Sequence, residues 1–148
     1  MSKPVLGIIG GGQLGSMLAV AAKKENIKII VFSDDKDAPA QKFCDQFICS
    51  DFKDEKSINK FTKNCDIVTF EFENIPFETL NKINKIKPVL PKPSVNEIVQ
   101  NRLSEKNFVN KLDIKTTKYV SIKKKIGNII KPRFITGNFK NIYTWLRR

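Results

Sequence analysis

An apolar run that ends in three consecutive glycines and leads into a helical pattern constrains the fold of this chain most. Val5–Ile9 is continuous and apolar, which is typical of a buried parallel strand. Gly10, Gly11 and Gly12 follow, and apolar residues then recur at helical spacing, which predicts a helix over residues 13–25. A strand, a tight turn and a helix in this order predict the first unit of a layered α/β domain.

The alternation of strand and helix patterns continues along the chain. Further strands are predicted at residues 28–32, 46–49, 66–70 and 87–90, and helices at residues 38–43, 54–64 and 77–85. This order predicts an α/β fold with a Rossmann-like, doubly wound and mostly parallel sheet, connected by right-handed crossovers.

The pattern changes after the last predicted strand. Residues 94–97 have capping-box spacing, which predicts a helix that breaks near Leu103, and a second helix is predicted over residues 104–112. Residues 115–122 are predicted to form a strand leaving the domain. We expect any domain boundary to lie at residues 113–117.

The amino-acid composition excludes several kinds of active site. The 148 residues include no His, so neither a Ser-His-Asp nor a Cys-His nucleophile can form. Cys44, Cys49 and Cys65 lack CxxC spacing, and we expect them to be small, buried, reduced side chains rather than zinc ligands or disulfides. With no apolar run of the roughly 18 residues that span a membrane and no signal-peptide pattern, a cytoplasmic protein without a membrane partner is expected.

The net charge of +12 is unevenly distributed. Residues 1–80 carry 10 basic and 12 acidic side chains, whereas residues 81–148 carry 17 basic and 3 acidic side chains. The excess is mainly lysine, and the chain is rich in Asn and Ile, so solvated surface lysines explain it without a nucleic-acid partner. A basic half that holds the phosphates of a small ligand remains an alternative.

Three groups of residues could carry chemistry. The glycine turn fits G-x-G-x-x-G and is compatible with a dinucleotide, with another phosphate or carboxylate ligand, or with a structural turn. Asp34 and Asp35 lie where a Rossmann domain would hold a ribose, or they form a solvated turn. Glu71 and Glu73 follow a buried strand, and alternation would direct both to the rim near the glycines, where they could hold hydroxyls or amines; the alternative is a strand end with solvated acids.

Arg102 is the only arginine before Arg133, which suggests a need for its planar guanidinium at a phosphate or base. The alternative is a surface helix residue.

Four motifs together resemble one family. They are GGQLGSML (residues 11–18), DAPA (residues 37–40), TFEFENIP (residues 69–76) and QNRLSEK (residues 100–106). In order and spacing they resemble the N-terminal part of the 5-(carboxyamino)imidazole ribonucleotide synthases, the ATPase subunits of phosphoribosylaminoimidazole carboxylase. These are ATP-grasp enzymes of purine biosynthesis, and the resemblance covers about residues 4–120.

The resemblance implies a pre-ATP-grasp domain over residues 1–113, followed by a linker and the incomplete start of an ATP-grasp domain over residues 114–148. It implies substrate binding by Gly12, Gln13, Leu14, Glu71 and Glu73, and ATP contacts by Arg102 and Lys131. The implied reaction uses ATP, Mg²⁺ and bicarbonate to carboxylate 5-aminoimidazole ribonucleotide at nitrogen, and the resemblance also implies a homodimer.

The sequence departs from this family at several points. Ser16 stands where Arg is usual, Asn101 stands where Asp is common, and no GYDGKGQ-like loop or pair of metal-binding acids follows Lys131. We therefore expect the chain alone to lack catalytic residues, activity and a tightly bound cofactor. Two alternatives stay open: an NAD(P)- or nucleotide-binding Rossmann module that uses Asp34 or Asp35, and a nucleic-acid-binding protein that uses residues 115–148.

Overall fold

The computed structural model describes residues 3–119. The described residues fall into two units, which divide between Gln100 and Asn101. The first unit contains β1 (Val5–Ile9), α1 (Gln13–Lys24), β2 (Lys28–Ser33), a 3-10 helix (Pro39–Phe43), β3 (Gln46–Cys49), α2 (Glu55–Lys63), β4 (Ile67–Phe70), α3 (Phe77–Asn84) and α4 (Pro93–Val99). In the second unit, the described residues form α5 (Arg102–Lys111).

The four strands form one parallel sheet in the order β3-β2-β1-β4. Ile9, at the carboxyl end of β1, is level with Phe32 of β2 on one side and with Phe70 of β4 on the other. The carboxyl ends of the three strands therefore meet at one rim. The predicted doubly wound parallel sheet is confirmed.

Apolar side chains fill both faces of this sheet, as expected for a parallel sheet covered on two sides. Ile30 and Phe32 pack on one face with Phe61 of α2, whereas Ile29 and Val31 pack on the other face with Ala19 of α1. Alternate residues of β2 thus enter opposite cores, which explains why its sequence is a continuous apolar run.

Helix α1 packs on the sheet through small side chains. Its buried residues are Gly15, Ser16, Ala19 and Ala22. The larger apolar residues Leu14, Met17 and Leu18 are 58%, 63% and 39% exposed. Apolar periodicity predicted the helix correctly, but the buried face is the one that allows the closest approach to the sheet.

Several local predictions were wrong. Ser94 does not cap α4, because the helix begins at Pro93 with Lys92 as its N-cap and has no side-chain cap. The helix break predicted near Leu103 is present, but it lies at residues 100–101, because Asn101 caps α5. In place of the strand predicted at residues 87–90, Val89 forms an isolated bridge with Val68.

A strand was also predicted at residues 115–122. Its described part, residues 115–119, has no regular structure. Residues 120–122 lie outside the described range.

The three cysteines differ in their environments, and the expectation of three buried side chains is correct only for Cys65. Cys65 is buried, Cys44 is half-buried and Cys49 is exposed, and all three are free thiols. Burial, and secondarily the neighbouring Asp66 carboxylate, raise the pKa of the Cys65 thiol to about 12.

We expect a thiolate-trapping reagent to label Cys49 quickly in the folded protein and Cys65 only after unfolding. The raised pKa keeps the Cys65 thiol protonated near neutral pH, and burial excludes the reagent. Absorbance of the released dye would follow the reaction. Cys49→Ala should remove the fast phase and Cys65→Ala should leave it unchanged; a fast phase that survives Cys49→Ala contradicts the prediction.

Gly7 of β1 lies against α2 with no room for a side chain. A Cβ at this position would be 2.6 Å from both the Cys65 Sγ and the Phe61 Cζ, which are themselves buried. We expect Gly7→Ala to lower the free energy of unfolding by about 1–3 kcal/mol. Denaturant titration would measure the change, and Cys65→Ala in the Gly7→Ala background should recover part of it. Unchanged stability in Gly7→Ala would disprove this account of the packing.

Candidate functional site

The candidate site lies at the carboxyl rim of the sheet, between β1 and β4. From β1 the chain proceeds to β2 and β3 on one side of the sheet and returns to β4 on the other. Such a reversal of strand order leaves a crevice at the carboxyl ends of the two strands, where doubly wound proteins bind ligands. The glycine turn after β1 and Glu71 after β4 face this crevice from its two sides.

The Glu71 carboxylate joins these two segments. Its Oε1 accepts a hydrogen bond from the Gly12 N–H at 2.7 Å, and its Oε2 accepts one from the Gly15 N–H at 2.6 Å. The first N–H groups of a helix have no acceptor within the helix, and the helix dipole favours negative charge there. Glu71 therefore supplies the glycine turn and the start of α1 with an anion from within the chain.

The glycines provide the space for this carboxylate. Gly10 has a φ of +99°, a conformation that L side chains rarely adopt, and a Cβ there would lie 2.5 Å from the Glu71 Cγ. A Cβ on Gly12 would lie 2.8 Å from the Glu71 Oε1. The G-x-G-x-x-G pattern is thus used, in this chain, for the close approach of its own carboxylate.

Gln13 and Leu14 lie between the two N–H groups that Glu71 binds. Both side chains are exposed, and neither backbone N–H has an acceptor among residues 3–119. Ser16 is buried behind them, and its hydroxyl donates to the Gly12 carbonyl at 2.9 Å. The rim therefore keeps two backbone donors available beside a fixed carboxylate.

Helix α4 and the residue after it hold the segment that follows Glu71. The Gln100 amide donates to the Glu73 carbonyl and, at 2.6 Å, to the Ile75 carbonyl. Asn96 is buried, and its amide also donates to the Ile75 carbonyl, at 3.1 Å. The Asn96 Oδ1 has no partner among the described residues.

Sequence reasoning assigned no role to Asn96 or Gln100. Asn96 lies three residues after Pro93, on the buried face of α4. A polar residue on a buried helix face needs a hydrogen-bond partner, and this was the signal that could have identified it.

Glu73 does not join Glu71 as strand alternation suggested. Strand β4 ends at Phe70, and the chain then turns, so the alternation of side chains does not extend to Glu73. Its side chain is exposed and makes no hydrogen bond or ion pair among residues 3–119.

Asp34 and Asp35 lie in an exposed turn after β2. The Ser33 hydroxyl accepts a hydrogen bond from the Asp35 N–H at 3.1 Å, and the Asp35 carboxylate accepts one from the Asp37 N–H at 2.9 Å. These contacts are local and are typical of a turn stabilised by its own polar side chains.

Arg102 begins α5 in the second unit, and its guanidinium pairs with the Glu105 carboxylate at 2.7 Å. Asn101 caps the same helix by accepting from the N–H groups of Leu103 and Ser104. Asn and Asp are comparable caps, so this departure from the family leaves the helix start intact. Lys131 lies outside the described residues.

Residues 3–119 contain neither a metal-binding cluster of side chains nor a membrane-spanning helix. No group of three or more acidic or cysteine side chains is placed to hold a metal ion. No described helix is long and apolar enough to cross a bilayer.

We expect Glu71→Ala to lower the free energy of unfolding by about 1–3 kcal/mol, because two N–H groups lose a charged acceptor. Glu73→Ala is the matched control and should change stability by less than about 0.5 kcal/mol, since its side chain is exposed and unbonded. Denaturant titration of both variants would measure the difference. Equal stability of the two variants would show that the Glu71 contacts contribute nothing.

Comparisons with known proteins agree with the fold of this chain. The ribonucleotide synthetase pre-ATP-grasp domain family matches residues 2–100. The N5-carboxyaminoimidazole ribonucleotide synthase of Staphylococcus epidermidis is 38% identical over 117 residues, which are 79% of this chain and 31% of that protein.

Two crystal structures extend the comparison. The Staphylococcus aureus synthetase complexed with ADP superposes with a TM-score of 0.76 at 33% identity, over 83% of this chain and 34% of that one. The Aspergillus clavatus synthase in complex with ADP and 5-aminoimidazole ribonucleotide gives a TM-score of 0.74 at 26% identity, over 82% and 33%.

The chain thus spans about a third of the length of the relatives it matches. The resemblance to the 5-(carboxyamino)imidazole ribonucleotide synthases is confirmed, and the chain belongs to the ribonucleotide synthetase pre-ATP-grasp domain family.

Proposed function

We propose that this chain is the ribonucleotide-binding part of a purine-biosynthetic enzyme that carboxylates 5-aminoimidazole ribonucleotide at nitrogen, using ATP and bicarbonate. The observation that carries the proposal is the Glu71 carboxylate held against the glycine turn at the reversal point of the sheet. The relative from Aspergillus clavatus, which carries 5-aminoimidazole ribonucleotide, supports the choice of ligand.

In this proposal the rim offers the ribonucleotide both donors and acceptors. Each Glu71 oxygen accepts one backbone hydrogen bond and retains a lone pair for a hydroxyl or amine of the ligand. The N–H groups of Gln13 and Leu14 can donate to ligand oxygens or ring nitrogens. Gly12 contributes by admitting the Glu71 carboxylate close to the backbone, and Glu73 is exposed two residues beyond Glu71.

ATP is proposed to contact Arg102 and Lys131. The Arg102 side chain is 66% exposed and pairs with Glu105, and its planar guanidinium is chemically suited to a phosphate contact. When ATP is bound, it supplies the phosphoryl group that activates bicarbonate. Residues 3–119 offer no acidic cluster for Mg²⁺, so we assign no metal ligand within them.

On the basis of the family resemblance, we also propose that the protein forms a homodimer. The three free thiols fit a reducing compartment, and we propose the cytoplasm.

Titration of the isotopically labelled 148-residue chain with 5-aminoimidazole ribonucleotide would test the proposal. We expect saturable shifts of the amide signals of Gly12, Gln13, Leu14 and Glu71. Glu71→Gln should weaken binding about tenfold or more, because a charged acceptor is replaced by a neutral one.

Asp34→Asn is the matched control, since it neutralises an exposed acid at the same rim and should leave the affinity unchanged. Absence of shifts at the glycine turn, or equal losses in both variants, would refute the assignment of this site.

A further inference from the structure

We propose that Glu71 determines the ligand specificity of the glycine turn by closing it to phosphate and pyrophosphate groups. The turn has the sequence pattern of a dinucleotide-binding loop, but the anion at its N–H groups is a side chain of the same protein. The turn therefore accepts hydrogen-bond donors, such as hydroxyls and amines, in place of phosphate oxygens. The proposal deepens the function above, and rests on it only for the identity of the ligand.

The first argument is the occupation of the donors. A phosphate at a glycine-rich turn is held by backbone N–H groups at the start of the following helix. Here the N–H groups of Gly12 and Gly15 donate to the two oxygens of Glu71 at 2.7 and 2.6 Å. Such short charge-assisted bonds are among the stronger ones in proteins, so a phosphate would have to displace the carboxylate.

The second argument is space. A Cβ built on Gly12 meets the Glu71 Oε1 at 2.8 Å, and one built on Gly10 meets the Glu71 Cγ at 2.5 Å. The side chain of Glu71 therefore fills the volume that the missing glycine side chains leave over the turn.

The third argument is charge. A phosphate that used the free N–H groups of Gln13 or Leu14 would lie next to a carboxylate that is already in place. Like charges at such a distance repel strongly in a partly buried site, where water screens them poorly. The two remaining donors therefore suit neutral acceptors.

The fourth argument is that Glu71 is held in place by the fold. Its backbone N–H donates to the Ile9 carbonyl at 3.1 Å, which continues the pairing of β4 with β1. Beyond it, Asn96 and Gln100 both donate to the Ile75 carbonyl. With the backbone fixed on both sides, the carboxylate can leave the turn only by a change of side-chain rotamer that breaks both of its hydrogen bonds to the turn.

Titration of the 148-residue chain with inorganic pyrophosphate, followed by the amide signals of Gly12 and Gly15, tests this proposal. In the wild-type protein neither signal should move saturably. In Glu71→Ala both should move saturably, with a dissociation constant at least about tenfold below the lower limit that the wild-type titration sets, because two donors become free and a charge is removed. Glu97→Ala, which removes an exposed carboxylate of α4, should behave as the wild type.

Glu71→Gln serves as a second variant that keeps the shape, removes the charge and replaces one acceptor oxygen by an amide N–H donor, and its gain should be smaller. Saturable pyrophosphate binding at Gly12 and Gly15 in the wild type would overturn the proposal. So would folded Glu71→Ala and Glu71→Gln proteins that gain no affinity. Failure of the ribonucleotide titration would remove the proposed function, but it would leave the pyrophosphate results unchanged.

Discussion

The contact between the Glu71 carboxylate and the first N–H groups of α1 is the interaction on which the rim of this domain depends. It joins the end of β4 to the turn after β1, which are 59 residues apart in sequence. The positive φ at Gly10 and the missing side chain at Gly12 both make room for it. The shape of the crevice therefore follows from one acidic residue and the glycines that surround it.

The architecture could be predicted from the sequence because each strand is a short apolar run followed by a turn and a helical period. Strand β2, for example, is buried on both faces, and strands buried in this way have a continuous apolar sequence throughout this class of folds. Helix boundaries were less predictable, because Ser94 has the right spacing for a cap while Pro93 already provides a favourable first helical residue. The buried face of α1 could not be predicted either. Close packing against the sheet selects small residues, which contribute little to the apolar periodicity of the helix.

The site could be predicted only in part. The glycines and Glu71 belong to recognisable motifs, and the parallel topology places them at one rim. No sequence pattern predicts that the Glu71 carboxylate binds the backbone of the turn. Glu73 was grouped with Glu71 on the assumption that β4 continues, whereas the strand ends at Phe70. Asn96 and Gln100 were missed because their partners are backbone carbonyls, which every sequence contains and no sequence distinguishes.

The Glu71 carboxylate also affects how much the glycine turn must be ordered when a ligand binds. A glycine turn that waits for an external phosphate leaves its N–H groups to water when empty and must be ordered upon binding. Here Glu71 satisfies the Gly12 and Gly15 N–H groups from within the chain, so these two donors need no ligand to complete their hydrogen bonds. Glycine, the most flexible residue, thus builds a preorganised surface, and little conformational entropy is lost there when a ligand binds.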